Sequence, residues 1–131
     1  ARAVARMTYA FAEATVPKVN VIIGNAYGSA YIAMNSKSIG ADMVYAWENA
    51  KIGMMDANLA ARIMYDDADM ETQKEKAAEY EKIQSSAKSA ARRGYVDAII
   101  TPADTRKYVI SAFEMLFTKR EDRPNKKHGT V

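Results

Sequence analysis

Cysteine is absent from the 131 residues. Disulfides, thiol nucleophiles and thiolate-held metals are therefore excluded, and a reducing, cytoplasmic address is permitted. Histidine occurs once, at position 128, so a serine nucleophile would have to draw an imidazole base from the far end of the chain. No apolar run approaches the roughly 18–20 residues of a membrane span. Arg2 and Arg6 interrupt the one apolar stretch at the N-terminus, which removes any signal-peptide pattern. The net charge of +3 is small, and much of it lies in residues 119–128. There Lys119, Arg120, Arg123, Lys126 and Lys127 alternate with Glu121 and Asp122 and have no aromatic neighbours. That pattern reads as a solvated basic tail over residues 119–131 in preference to a nucleic-acid surface. His128 reads as part of the same tail.

What is present is an α/β pattern in one domain, residues 1–118. Val4, Met7, Phe11 and Ala14 fall at helical spacing, and Pro17 ends that helix near Thr15. The chain opens inside this helical pattern, which points to further protein upstream. Residues 19–23 read as a buried strand, residues 42–47 as a second and residues 51–55 as a third. Asp56 is placed to cap a helix that carries Leu59, Ile63 and Met64 on one side. Residues 66–93 begin acidic and end basic before Gly94, as suits one long helix or two short ones broken near Ser85 and Ser86. Residues 94–100 return to a strand. Thr101, Pro102 and Asp104 then form a capping signal for a last helix with Val109, Ile110, Phe113, Leu116 and Phe117 on its apolar face.

The site of greatest interest is Gly28-Ser29-Ala30, where a strand runs through very small residues into a short helix spanning residues 30–35. Backbone N–H groups freed at such a helix start can hold negative charge without a catalytic side chain. A tight turn serving only close packing is an equal reading of the same residues. The Gly-Lys-Ser/Thr of a phosphate loop does not follow, and Ser29 is not framed as Gly-x-Ser-x-Gly. Asp66, Asp67 and Asp69 lack the calcium-loop spacing and read as a solvated helix start. Met54, Met55, Met64 and Met70 read as core filler. Tyr27, Tyr31, Tyr45 and Trp47 are either pocket walls or buried aromatics, and Trp47 stands out because it ends a strand.

Residues 12–18 before a strand, then Ala26-Tyr27-Gly28-Ser29-Ala30-Tyr31, resemble the carboxyltransferase subunit of biotin-dependent acyl-CoA carboxylases and decarboxylases. Asn35-Ser36-Lys37, Gly40-Ala41-Asp42, Tyr45-Ala46-Trp47, Arg93-Gly94-Tyr95-Val96-Asp97, Thr105-Arg106-Lys107 and Lys126-Lys127-His128-Gly129 continue the likeness in order. The resemblance implies a crotonase-like spiral of ββα units, with this chain as the C-terminal part of the second of two domains. It implies an active site shared between the first domain of one subunit and the second domain of its partner. Gly28, Ser29 and Ala30 would then be the oxyanion hole for biotin, with the Ser29 and Ala30 N–H groups as donors. Tyr27, Tyr31, Ile32 and Trp47 would flank the substrates.

The implied cofactor is biotin, as carboxybiotin on a carrier protein, with no metal in this domain. The implied partners are an acyl-CoA of the acetyl or propionyl class, a biotin carboxyl carrier protein, a biotin carboxylase and further copies of the chain in a dimer or hexamer. The transfer could also run in reverse, in a sodium-pumping decarboxylase, or the fold could persist as a non-catalytic interaction domain. The chain departs from the family pattern at three places. Ser29 replaces a second glycine, Ile32 stands at an often acidic position tied to acyl-chain choice, and residues 55–60 replace a more usual Met-Gly-x-x-Gly-Ala.

Overall fold

The structure is a computed structural model and describes residues 1–125. After helix α1 (Arg2–Glu13), the chain runs β1 (Val19–Ile22), β2 (Asn25–Tyr27), α2 (Gly28–Ala33), β3 (Met43–Trp47) and β4 (Lys51–Gly53). It continues through α3 (Ala57–Met64), α4 (Met70–Tyr80), a π turn (Glu81–Ser85), α5 (Ala87–Arg92), β5 (Ala98–Ile100) and α6 (Thr105–Met115). The strands divide between two parallel sheets. One has the order β1-β3-β5, and the other pairs β2 with β4. Successive strands of each pair thus enter different sheets, and a helix follows the second, which is the ββα repeat.

Alternation on β3 explains how the three-stranded sheet is covered on both faces, as parallel sheets require. Val44 and Ala46 point into a core with Ile22, Ile52, Ala87, Ala90 and Val96. Tyr45 points the other way, into a cluster with Ile100 and Ala112 of α6. Asp97 fixes the entry to β3: its carboxylate accepts from the Val44 N–H and the Lys37 ammonium, each at 2.8 Å. Its own N–H donates to the Val44 carbonyl, also at 2.8 Å.

Several sequence expectations require correction. Strand β1 is a half-buried edge, with only Ile22 fully buried, because nothing among the described residues pairs beyond it. Strand β2 was not expected, and α2 begins at Gly28, two residues earlier than its apolar pattern suggests. Asp56 does cap α3, accepting from the Asn58 and Leu59 N–H groups. The stripe of Leu59, Ile63 and Met64, however, faces outward, while Ala57 and Ala61 pack against Ala77 of α4. Alanines let two helices approach more closely than leucines would allow, so the small side chains take the buried face. Met54, Met64 and Met70 are likewise exposed and fill no core.

The break at Ser85 and Ser86 is present, with Ser86 capping α5 through the Ser89 N–H. Thr101 forms no backbone cap: its hydroxyl donates to the Asp104 carboxylate at 2.8 Å, and a turn of 3-10 helix precedes α6. On α6 only Ala112 is fully buried, and Ile110, Phe113 and Phe117 are exposed.

Lys119 is not solvated. Its ammonium lies 2.9 Å from the Asp42 carboxylate, which also accepts from the Lys18 N–H at 2.7 Å. The Lys18 side chain is itself buried and donates to the Phe11 carbonyl at 2.8 Å, close to the end of α1. Burial alone would raise the Asp42 carboxyl. The Lys119 ammonium and the Lys18 N–H outweigh it and hold the group below the usual carboxylate range. Lys126, Lys127 and His128 lie outside the described residues.

Candidate active site

The residues Asn25 to Ala30 form a strand end joined directly to a helix start. Tyr27 is the N-cap of α2 in extended geometry, and no side chain caps the helix. Gly28 has φ +61°, a left-handed conformation that costs a glycine nothing. A Cβ there would meet the Met54 carbonyl oxygen at 3.2 Å, so the start of α2 lies directly against the end of β4. Ser29 and Ala30 are exposed, and as first-turn residues their N–H groups have no carbonyl one turn earlier to bond. The far end of α2 is anchored separately. The Asn20 side-chain amide donates to the Asn35 carbonyl at 2.9 Å, and the Ser36 hydroxyl donates to the Ile32 carbonyl at 3.0 Å.

Two cavities flank this helix. One of about 430 Å³ is lined by Asn20, Ile23, Tyr27, Ala30, Tyr31 and Met34. The other, about 190 Å³, is lined by Tyr31, Ile32, Ile52, Met54, Arg93 and Tyr95 among others. Tyr31 is a wall of both, and its buried hydroxyl has no partner among the described residues. Burial raises the Tyr31 phenol above its ordinary value, with Tyr95 adding to the effect, and burial also raises Tyr27. Both phenols therefore stay neutral near pH 7 and can act only as hydroxyl donors or acceptors.

Of the residues expected from the sequence, Gly28, Ala30, Tyr27, Tyr31 and Ile32 gather around α2, with Ser29 in its first turn. Trp47 does not join them. It shares the face of β3 that carries Met43 and Tyr45, and its indole N–H donates to the Thr105 hydroxyl at 2.9 Å. Strand alternation puts it on the α6 side, so it is a brace between β3 and α6. Asn20 and Ser36 were missed as anchors of α2. The positive φ of Asn35 (57°) marks the helix end, and an asparagine after a short apolar helix could have signalled it. Among the described residues no group of three or more histidine, cysteine or acidic side chains is placed to hold a metal. Asp66, Asp67 and Asp69 are exposed.

The geometry is thus an uncapped, exposed helix start beside two cavities. A carboxyl transferase domain family matches residues 1–131. The chain belongs to this family. It is 51% identical to a putative propionyl-CoA carboxylase beta chain of Bacillus subtilis, over 97% of this chain and 26% of that protein. It is 47% identical to the methylmalonyl-CoA carboxyltransferase 12S subunit of Propionibacterium freudenreichii, over 95% and 25%. A methylmalonyl-CoA decarboxylase alpha subunit from Veillonella parvula is 46% identical, over 97% of this chain and 25% of that protein.

The crystal structure of transcarboxylase 12S, a hexamer with hydrolysed methylmalonyl-coenzyme A bound, superposes with a TM-score of 0.92 at 47% identity. That match covers 98% of this chain and 26% of the other. The geranyl-CoA carboxylase beta subunit of P. aeruginosa superposes with a TM-score of 0.73 at 25% identity, over 95% and 25%. The fold is accordingly the crotonase-like arrangement of carboxyltransferases. This carboxyl transferase chain spans about a quarter of the length of the curated relatives it matches.

Proposed function

We propose that the chain is the biotin-facing part of the second domain of an acyl-CoA carboxyltransferase, with the Ser29 and Ala30 N–H groups as its oxyanion hole. The observation that carries this reading is the uncapped, exposed first turn of α2, set by Gly28 against the Met54 carbonyl. The residues fit a biotin ureido group. Ala30 lines a cavity of about 430 Å³ whose walls also include Tyr27 and Tyr31, suited to a small apolar bicycle with one polar edge, and Ser29 precedes it in the same exposed first turn.

Bound carboxybiotin supplies a labile carboxyl group and, on losing it, a ureido oxygen that carries negative charge. The Ser29 and Ala30 N–H groups would stabilise charge at that oxygen without reorganising, because first-turn N–H groups are held by the helix backbone and have no intrahelical acceptor. The tyrosine rings exclude water from the same face. Ser29 keeps its N–H in place of a glycine, so its hydroxyl adds a donor without removing one. Ile32, in the smaller cavity, contributes to acyl-chain choice. A biotin carrier and a biotin carboxylase are the proposed partners. Homo-oligomer formation is supported by the exposed apolar faces of α3 and α6. No helix among the described residues is long and apolar enough to cross a membrane, and a cytoplasmic location is proposed. The 46% identity to decarboxylase alpha subunits supports a second reading, in which the same site runs the transfer from acyl-CoA to biotin.

The full-length protein, given a biotinylated carrier, is expected to move labelled carboxyl between carrier and acetyl-CoA or propionyl-CoA. Residues 1–131 alone are expected to show no turnover, since the acyl-CoA half of the site belongs to the first domain. Turnover by the fragment at the full-length rate would show that the site is misplaced. In the full-length protein, Ile32→Asp should change the ratio of kcat/KM between acetyl-CoA and butyryl-CoA by about tenfold, the scale of methylene discrimination in an apolar pocket. An unchanged ratio across acyl lengths would remove Ile32 from the pocket.

A further inference from the structure

The π turn Glu81–Ser85 joins α4 to α5. Such turns interrupt regular helices and occur most often at functional sites. This one lies along β4. Ser86 bridges to Lys51, and the Lys51 ammonium lies 2.8 Å from the Glu81 carboxylate. At its end Ser85 is fully buried, and its hydroxyl has no partner among the described residues. A Cβ on Gly53 would stand 3.4 Å from that hydroxyl oxygen and 3.9 Å from the Tyr27 ring. Gly53 in turn is opposite Tyr27 in the β2-β4 register, and the next residue, Met54, presents its carbonyl to Gly28 at the distance given above. Three backbones are therefore layered in order: the π turn, the end of β4, and the start of α2. Two glycines at the successive contacts allow the close approach.

We propose that the π turn sets the position of the Ser29 and Ala30 amides, with Ser85 as a positioning residue that acts through the Gly53–Met54 backbone. The side chain works by its size. No described residue receives or gives a hydrogen bond at this hydroxyl, so its removal is expected to matter less than added bulk, which would push β4 toward α2. This rests on the reading of those two amides as the oxyanion hole.

The test uses the full-length protein and the variants Ser85→Ala and Ser85→Val. Ser85→Ala should leave turnover and hydrogen exchange near the parent values. Ser85→Val should lower kcat about tenfold with KM for acyl-CoA little changed, as expected for displaced oxyanion donors. It should also raise amide exchange of the Gly28–Ala33 peptide about fivefold while the Thr105–Met115 peptide is unchanged, the signature of a local rather than global opening. Exchange that is unchanged, or raised equally in both peptides, would overturn the positioning role. Equal loss of kcat in Ser85→Ala would overturn the argument from size. A selective rise in exchange with kcat intact would uphold the positioning role and instead refute the oxyanion-hole reading.

Discussion

Ala30→Pro in the full-length protein is expected to lower kcat for carboxyl transfer by about 10²–10³, the loss that follows removal of one oxyanion-hole donor. Proline deletes one N–H and nothing else from the list of polar groups at the site. Its position favours the experiment. Ala30 is in the first turn of α2, where an N–H has no helical acceptor and proline interrupts no backbone bond, although its ring also disfavours helical geometry at Ser29 and so adds to the loss. The side chain is exposed, so the ring displaces no core residue. Ala30→Gly is the control: it keeps the N–H and should retain kcat within a few-fold. The KM for acyl-CoA should hardly move in either variant, because the proposed loss acts on charge at the biotin oxygen. A proline variant that folds and turns over at the parent rate would end the oxyanion-hole reading.

The second large effect is on stability. Asp42→Ala in the full-length protein is expected to cost about 3 kcal/mol at neutral pH, the lower end of the range for breaking a buried ion pair. The lower end applies because the Asp42 side chain is 19% exposed and that of Lys119 12%. The substitution also strips the Lys18 N–H of its acceptor and leaves two ammonium groups close together without their shared carboxylate. Burial already lowers the Lys18 ammonium, and Lys119 lowers it further.

The sign with pH follows from Asp42 being held below the usual carboxylate range when folded. Its contribution is complete above the ordinary aspartate value, about pH 4. It fades as the pH falls through the lower folded value. Denaturant unfolding should therefore show the gap between Asp42→Ala and its parent narrowing below about pH 4. A gap constant down to strong acid would show that the carboxylate charge is not what holds these segments together.

Much of this was legible in the sequence, and the misses have physical causes. Strands β3 and β5, the Asp56 cap and the helix break at Ser86 rest on local chemistry, and local chemistry can be read in one dimension. Strand β2 is three residues long, too short to show alternation, and the small residues that hide it are those that let α2 start early. Leu59 and Ile63 do share one side of α3, and that side faces outward. Amphipathic patterns report a stripe but not which stripe finds a partner, and here Ala57 and Ala61 found Ala77.

The Gly28 turn was visible because left-handed backbone demands glycine. Trp47 was misassigned because residues at the end of a strand alternate in face, and sequence does not say which face looks toward the site. Lys119 looked like tail, since its partner Asp42 lies 77 residues earlier. The layering of Ser85 on Gly53 was invisible for the same reason, as the contact joins segments that no local pattern connects.

The long reach from Lys119 to Asp42 also has a consequence in time. Protein chains are made from the N-terminus, and their parts begin to fold as they emerge. All five strands and α6 precede residue 119, so they are made while Asp42 has only Lys18, its amide and its nearby ammonium, for company. The counter-ion comes last. A released chain ending a few residues short would hold all five strands but leave that carboxylate without its hydrogen-bonded counter-ion. The ion pair can thus close only after every strand it tethers has been made.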